Sequence, residues 1–122
     1  MYSPTVLDHF KNARNMGVLP DATTSVQVSN PVCGDTLELS LVVNGLEIAK
    51  ARFRAKGCTP TIACASRLTE MIEGAAVADA LRITRESLIT SLGGLPEASG
   101  HAAQLALDAL RAALGRVAAS AV

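Results

Sequence analysis

Apolar and polar residues alternate along two neighbouring segments in the first half of the chain. Every second residue from Thr36 to Val43 is a leucine or valine, and from Glu47 to Lys56 small or aromatic residues alternate with basic ones. Such alternation is typical of β-strands with one buried face. Asn44-Gly45 lies between the segments, and both residues tolerate the positive φ of a tight turn. The pattern predicts a β-hairpin whose buried face carries Leu37, Leu39, Leu41, Val43, Ala49, Ala51, Phe53 and Ala55.

Shorter segments on either side of this hairpin predict the remaining elements. Alternation over residues 25–29 predicts a third, edge strand. Caps and apolar spacing predict helices over 4–11, about 60–73, 84–92 and about 100–119, with a short turn or helix over 77–81. Thr59 is the predicted cap of the second helix, and Gly74 marks its end. Strands followed by helices predict an α+β fold, a small three-stranded, mostly antiparallel sheet with helices packed on one face.

Composition narrows the class of protein. The 122 residues, 49% of them hydrophobic, suit a single domain spanning 1–122. The 11 basic and 11 acidic residues balance, which argues against a nucleic-acid or anionic-membrane partner. No apolar segment reaches the roughly 18 residues needed to span a bilayer, and the N-terminus lacks the pattern of a signal peptide. Three cysteines, an odd number, favour a reducing cytoplasmic setting over a disulfide scaffold.

Two cysteines and an aspartate lie at the open end of the predicted hairpin. Cys33 and Asp35 precede its first strand and Cys58 follows its second, so strand pairing brings them to one edge of the sheet. Cys58 also precedes a predicted helix N-terminus, whose dipole favours a thiolate. These residues predict a metal or sulfur site. The alternatives are structural cysteines buried as small hydrophobes and an aspartate that only bonds its own turn.

Several motifs in the chain resemble those of the IscU/NifU-type iron-sulfur cluster scaffolds. They are YSPTVLDHF and NARNMG at 2–10 and 12–17, NPVCGD at 30–35, and ARFRAKGC at 51–58 followed by IA and LTE at 62–63 and 68–70. The motifs occur in the family's order, and the similarity extends over nearly the whole chain. The chain is therefore identified as similar to that family.

The resemblance implies a scaffold rather than an enzyme. Such a protein assembles a [2Fe-2S] cluster from iron and from sulfur delivered by a cysteine desulfurase, and passes it to acceptor proteins. The resemblance implies that Cys33 and Cys58 are cysteine ligands, that Asp35 keeps the site labile and that His101 is the family's histidine. The family's third cysteine directly follows that histidine, and this chain has Ala102 there. The resemblance is therefore to a divergent member that lacks the third ligand cysteine.

The candidate ligand set leaves more than one function open. Two thiolates, one carboxylate and one imidazole can hold zinc in tetrahedral geometry or a [2Fe-2S] cluster. One alternative to a scaffold is a zinc-bound sulfur acceptor for a cysteine desulfurase, in which Cys58 takes the persulfide. Another is a degenerate paralogue that acts only as a partner-binding module. We expect a monomer or a weak homodimer.

Several polar residues have both a structural and a functional interpretation. Cys64 is either a core cysteine or a relocated third ligand, and His101 is either a ligand or a solvated residue of a helix start. We expect His9 to be a solvated or capping histidine, with a catalytic role as the alternative. The basic residues of the second hairpin strand form either the solvated face of a half-exposed sheet or a surface that docks a desulfurase or acceptor: Lys50, Arg52, Arg54 and Lys56.

Overall fold

A computed structural model describes residues 1–31 and 34–120, with side chains described as far as residue 117. Three strands form one antiparallel sheet in the order β1-β2-β3, where β1 is Thr24–Ser29, β2 is Thr36–Asn44 and β3 is Glu47–Lys56. The helices are α1 (Pro4–Lys11), α2 (Thr59–Ile72), α3 (Val77–Ala80), α4 (Arg85–Ser91) and α5 (Gly100–Ser120), and a 3₁₀ turn, Glu97–Ser99, precedes α5. This α+β architecture confirms the predicted fold class.

Helices α2 and α5 cover one face of the sheet. α5 packs on β1 and β2, α2 packs on β3 and on α5, and α1 packs on α2. Each fully buried aliphatic side chain in this layer contributes about 1.5–3 kcal/mol to the free energy of unfolding. The largest fully buried side chains are Val6, Leu37, Leu39, Leu41, Ile48, Phe53, Leu68, Ile72, Leu88, Leu92, Leu107 and Leu110.

Among the described residues, no helix combines the length and apolar character needed to cross a membrane.

The buried face of β3 differs from the predicted one near the turn. The alternation predicts Ala49 in the core, but Ala49 is exposed and its neighbour Ile48 is fully buried. Val42 pairs with Lys50 while Val43 pairs with Ile48, so Ala49 is an additional residue in a β-bulge. Because one inserted residue reverses which side chains face the core, the prediction for Ala49 is wrong.

The hairpin turn lies one residue later than predicted. Asn44 pairs with Glu47, so Gly45 and Leu46 form a two-residue turn. Gly45 has a φ of +62°, and a positive φ at the first turn position is the requirement of a type II′ turn. Gly45 therefore provides the turn geometry, and Asn44 ends the strand.

The loop after α1 covers the outer edge of β3. The amide of Phe53 donates to the carbonyl of Asn15 at 2.9 Å, and the amide of Gly17 donates to the carbonyl of Phe53 at 2.8 Å. Asn15 adopts a φ of +60°, and its side-chain amide donates to Thr69 Oγ1 on α2 at 3.2 Å. This part of the strand edge is therefore closed to pairing with another chain.

Cys58, rather than the predicted Thr59, caps α2. Cys58 has extended backbone angles, and the helix begins at Thr59 with Pro60 as its second residue. The Cys58 side chain makes no capping hydrogen bond. The one-residue difference matters because the thiol lies at the helix N-terminus itself and remains available for other partners.

His9 is buried between α1 and α2, and the prediction of a solvated or capping residue is wrong. It is 4% exposed, with Nδ1 2.8 Å from Ser66 Oγ and Nε2 3.3 Å from Glu70 Oε1. A carboxylate oxygen only accepts, so in the neutral ring Nε2 donates to Glu70 and Nδ1 accepts from the Ser66 hydroxyl. Sequence periodicity missed this contact because both partners lie on α2, more than fifty residues away.

The burial of His9 predicts a pH-dependent stability. Burial, aided by the charge of Arg14, lowers the pKa of His9 below its ordinary value of 6.5, and the carboxylate of Glu70 opposes this only in part. The unfolded chain therefore binds more protons than the folded chain between the two pKa values. The free energy of unfolding should fall as the pH drops below about 6.5. Urea titrations between pH 5 and 8 should show a smaller fall in the variant His9→Gln, and equal slopes would contradict this assignment.

Candidate metal centre

The open end of the hairpin meets the first turns of α2 and α5. Thr36 pairs with Lys56 at the last position of the ladder, so Asp35 on one side lies next to the segment that leads into Cys58 on the other. The start of α5 brings His101 to the same place. The ligand atoms of Asp35, Cys58 and His101 all lie within 4.8 Å of one another.

The structure thus brings together three of the four predicted ligands. Strand pairing and the two helix starts hold them in a single cluster that joins a carboxylate, a thiol and an imidazole. The fourth predicted ligand, Cys33, lies outside the described residues. The ligand role of all four residues stays a prediction.

Asp35 is held from two sides. It is 7% exposed, and its Oδ2 accepts hydrogen bonds from the Thr61 hydroxyl at 2.5 Å and from Cys58 Sγ at 3.4 Å. Gly57 lies directly against it, since a Cβ added there would lie 2.7 Å from Asp35 Cγ. Asp35 therefore makes tertiary contacts that go beyond those of an aspartate bonding only its own turn.

Thr61 and Gly57 are site residues that sequence reasoning missed. Thr61 lies three residues after Cys58 in the first turn of α2, so both side chains share one helix face, and their Sγ and Oγ1 atoms are 3.4 Å apart. This spacing could have identified Thr61 from the sequence. Gly57 carries no such signal, because the need for a small residue arises only from the position of Asp35.

The described cysteines have contrasting environments. Cys58 is exposed and adjoins Asp35, whereas Cys64 is fully buried in the hydrophobic core. Burial, with a smaller contribution from the charge of Cys58, raises the pKa of Cys64 to about 12. A thiol with so high a pKa stays protonated at neutral pH, and metals bind the thiolate. The structure therefore favours the core interpretation of Cys64 over that of a relocated ligand.

His101 lies in the first turn of α5 and is partly exposed. Its Nδ1 is 3.1 Å from the carbonyl oxygen of Ala98. A carbonyl oxygen only accepts, so Nδ1 carries the proton and the lone pair of Nε2 remains available. Metal-ligating histidines commonly use one ring nitrogen this way while the other binds the metal. Ala102, the next residue, is 1% exposed and adds no donor.

The donor set fits a transition metal by its chemistry. A tetrahedral zinc ion places its ligand atoms roughly 3.3–3.8 Å apart, judging from its usual bond lengths. Donors already within 4.8 Å of one another need to approach by only about 1 Å. Sulfur, imidazole nitrogen and carboxylate oxygen together suit zinc and iron. The described residues are therefore compatible with a bound metal ion or the edge of a cluster.

The basic residues of β3 differ in whether their side chains form salt bridges. Arg52 donates to Glu73 at 2.7 Å and Arg54 pairs with Glu38 at 2.9 Å. Lys50 and Lys56 are exposed, and within the described part of the chain neither forms an ion pair. The positive charge on this face that no salt bridge holds therefore comes from the two lysines.

Comparison with known proteins places the chain in a family. The family described as NifU-like N terminal domain matches residues 1–121. The chain is 44% identical over 114 residues to iron-sulfur cluster assembly scaffold protein IscU 1 of Archaeoglobus fulgidus, covering 93% of this chain and 74% of that protein. It is 42% identical over 115 residues to iron-sulfur cluster assembly scaffold protein IscU of Aquifex aeolicus, and this match covers 93% of this chain and 73% of that protein.

A solved structure supports the fold independently. The crystal structure of the N-terminal part of a nitrogen-fixing NifU-like protein from Brucella abortus superimposes with a TM-score of 0.77 at 19% identity. The match covers 94% of this chain and 92% of that one. These findings confirm the resemblance inferred from the sequence motifs. The chain belongs to the IscU/NifU-type scaffold family, within the NifU-like N-terminal domains.

Proposed function

We propose that this protein is an iron-sulfur cluster assembly scaffold that holds iron or a [2Fe-2S] cluster transiently and passes it to acceptor proteins. The observation that carries the proposal is the convergence of Asp35, Cys58 and His101 at one end of the hairpin. The names of the relatives from Archaeoglobus fulgidus and Aquifex aeolicus support it. Cys33 would supply the fourth ligand. In this role the protein binds and releases its cargo rather than turning over a substrate.

The mixed donor set suits transient binding. Thiolates are the usual ligands of [2Fe-2S] clusters, and histidine replaces cysteine in some of them. Carboxylate is a harder ligand and holds iron-sulfur units less well than thiolate. Asp35 also accepts a hydrogen bond from Thr61, which competes for its oxygen lone pairs. A cluster bound here is therefore easier to release than one held by four thiolates.

Anaerobic reconstitution with iron and sulfide tests this function. We expect a visible chromophore with iron close to the stoichiometry of a [2Fe-2S] cluster, and its loss in the variant Cys33→Ala. The variant His9→Gln is the control, because His9 contacts Ser66 and Glu70 of α2 and none of the donor residues. Binding of neither iron nor zinc by the wild-type protein would contradict the proposal.

A zinc-bound sulfur acceptor is the second candidate function. It is favoured by the exposure of Cys58 at the helix N-terminus beside the other donors. In this reaction the Cys58 thiolate attacks the terminal sulfur of the desulfurase persulfide, a new S–S bond forms, and the desulfurase thiolate leaves. Tight zinc binding without a chromophore, together with persulfide labelling of Cys58 by a cysteine desulfurase, would favour this function over the scaffold.

The outer face of the sheet offers a docking surface for a desulfurase or an acceptor. Lys56 directly precedes the Gly57-Cys58 segment, so a partner bound to this face lies next to the donor cluster. Exposed charges of this kind steer association with an oppositely charged partner. We therefore assign the interaction to the lysines rather than to Arg52 and Arg54, whose charges are paired.

Charge reversal at the two lysines tests this surface. The double variant Lys50→Glu/Lys56→Glu should bind a purified cysteine desulfurase about tenfold more weakly at low salt, with a smaller difference at high salt. Titration calorimetry measures the affinities. Lys11→Glu, at an exposed lysine on α1, is the matched control and should bind like the wild type. Equal affinities of the double variant and the wild type would exclude this surface.

A further inference from the structure

Arg85 lies against the segment that carries His101. It is the first residue of α4 and is exposed. Its Nε donates to the carbonyl of Gly100 at 3.3 Å, and a Cβ added at Gly100 would lie 2.0 Å from its Nη2. The guanidinium therefore occupies the space that a side chain at position 100 would fill, directly beside the first turn of α5.

The same guanidinium borders an open recess next to the donor cluster. The recess has a volume of about 510 Å³, and Arg85, His101, Asn30 and Gln104 are among its lining residues. Asp108 lies on the same wall and accepts a hydrogen bond from Gln104 at 2.9 Å. Across the described ranges 1–31 and 34–120, Arg85 forms no ion pair, whereas Arg14, Arg52 and Arg54 do. Arg85 thus places beside His101 a positive charge that no salt bridge within these ranges holds.

The position of Arg85 runs against local helix energetics. A cation in the first turn of a helix is destabilising because the N-terminus carries the positive end of the dipole. Thr84 already caps α4 through its side chain and a reciprocal bond with Ser87, so the helix start does not depend on Arg85. The hydrogen bond to the Gly100 carbonyl, rather than the energetics of its own helix, therefore explains the position of Arg85.

Reduction of the loaded donor cluster provides the charge that Arg85 can balance. On loading, the positive charge of the metal offsets the negative charges of the ligands Asp35 and Cys58, so a neighbouring cation has little effect on metal affinity. One-electron reduction of a bound cluster adds one negative charge and no positive one. A nearby cation therefore stabilises the reduced state relative to the oxidised state.

We propose that Arg85 is the electrostatic counter-ion of the donor cluster, positioned by the absence of a side chain at Gly100, and that it raises the reduction potential of a bound cluster. This inference rests on the proposed function. Arg85 acts through the field of its charge, so it is a positioning and tuning residue and not itself a ligand. Lysine at this position should preserve part of the effect, and a neutral side chain of similar length should remove it.

Redox titration of the reconstituted cluster tests the proposal, and zinc competition with a chromophoric chelator verifies that each variant still binds metal. Arg85→Gln should have a more negative reduction potential than the wild type at low salt, with a smaller difference at high salt, and a zinc affinity close to that of the wild type. Arg85→Lys should restore part of the potential. Arg82→Gln, at an exposed arginine three residues earlier, is the matched control. Gly100→Ala should reproduce the shift in potential, because its Cβ displaces the guanidinium while leaving the charge in the chain.

The possible results distinguish a failure of the role of Arg85 from a failure of the scaffold function. An unchanged reduction potential in Arg85→Gln, with normal loading of the wild type, would overturn the role of Arg85 and leave the scaffold function intact. A wild-type protein that binds no metal would overturn both. Loss of folding does not confound the test, because removing a cation from the first turn of α4 should leave the helix equally or more stable. Circular dichroism verifies this.

Discussion

Substitution of Cys58 by serine should abolish the binding of iron and zinc, whereas substitution of Cys64 by alanine should leave it intact. Serine retains a hydroxyl that can replace the contacts of the thiol with Asp35 and Thr61, so local hydrogen bonding survives. What is lost is the thiolate, the soft ligand on which zinc and iron-sulfur binding depend. Cys64 is fully buried and its raised pKa keeps it protonated, so it contributes packing alone.

Metal analysis and chelator competition measure this contrast. We expect Cys58→Ser to lose at least about a hundredfold in zinc affinity with little change in stability, because the residue is exposed. Cys64→Ala should keep wild-type affinity and lose about 1 kcal/mol of unfolding free energy. The reverse pattern, with loading lost in Cys64→Ala and kept in Cys58→Ser, would show that the site has been placed around the wrong cysteine.

Substitution of Gly57 by alanine should weaken metal binding about tenfold without touching a ligand. The new Cβ would lie 2.7 Å from Asp35 Cγ and 2.9 Å from its Oδ2. Asp35 is buried by its surroundings, so its carboxylate must move away and lose the Thr61 hydrogen bond. A hydrogen bond to a charged group contributes about 1.5–3 kcal/mol, and 1.4 kcal/mol corresponds to a factor of about ten.

Gly115→Ala is the matched control for Gly57→Ala. Gly115 lies in α5, and a Cβ added there meets no heavy atom within 4 Å. Alanine is a better helix former than glycine, so this variant should gain about 1 kcal/mol in unfolding free energy and bind zinc like the wild type. Both affinities come from chelator competition and both stabilities from urea unfolding. Equal zinc affinity in the two variants would mean that the position of Asp35 does not matter for binding.

Local signals predicted most of the secondary structure. α1 begins where the cap Ser3 and the first-turn Pro4 indicate and ends at the predicted Lys11, and β3 spans the predicted Glu47 to Lys56. α4 begins after its predicted cap, Thr84. Each of these features depends on residues a few positions apart, which is the range that periodicity and capping rules describe.

Features that depend on contacts between different elements were missed or wrong. The β-bulge at Ala49 depends on how β3 pairs with β2, and a pattern read along one strand cannot show it. The burial of His9 depends on Ser66 and Glu70 of α2. The contact of Arg85 with the start of α5 depends on Gly100. In each case the partners belong to different elements, so the residue spacing within one element does not record the contact.

The sequence by itself determined the elements, the antiparallel hairpin and the family of the chain, because alternation, turn and cap signals are local and the motifs occur in order. It also identified Asp35, Cys58 and His101 as candidates. Strand pairing in the hairpin also predicted that Asp35 and Cys58 lie at one edge of the sheet. Only the tertiary structure decided that His101 joins them within 4.8 Å, and that Cys58 is open to solvent while Cys64 is enclosed. The physical reason is that convergence and burial depend on how helices pack against the sheet, and packing joins residues far apart in the chain.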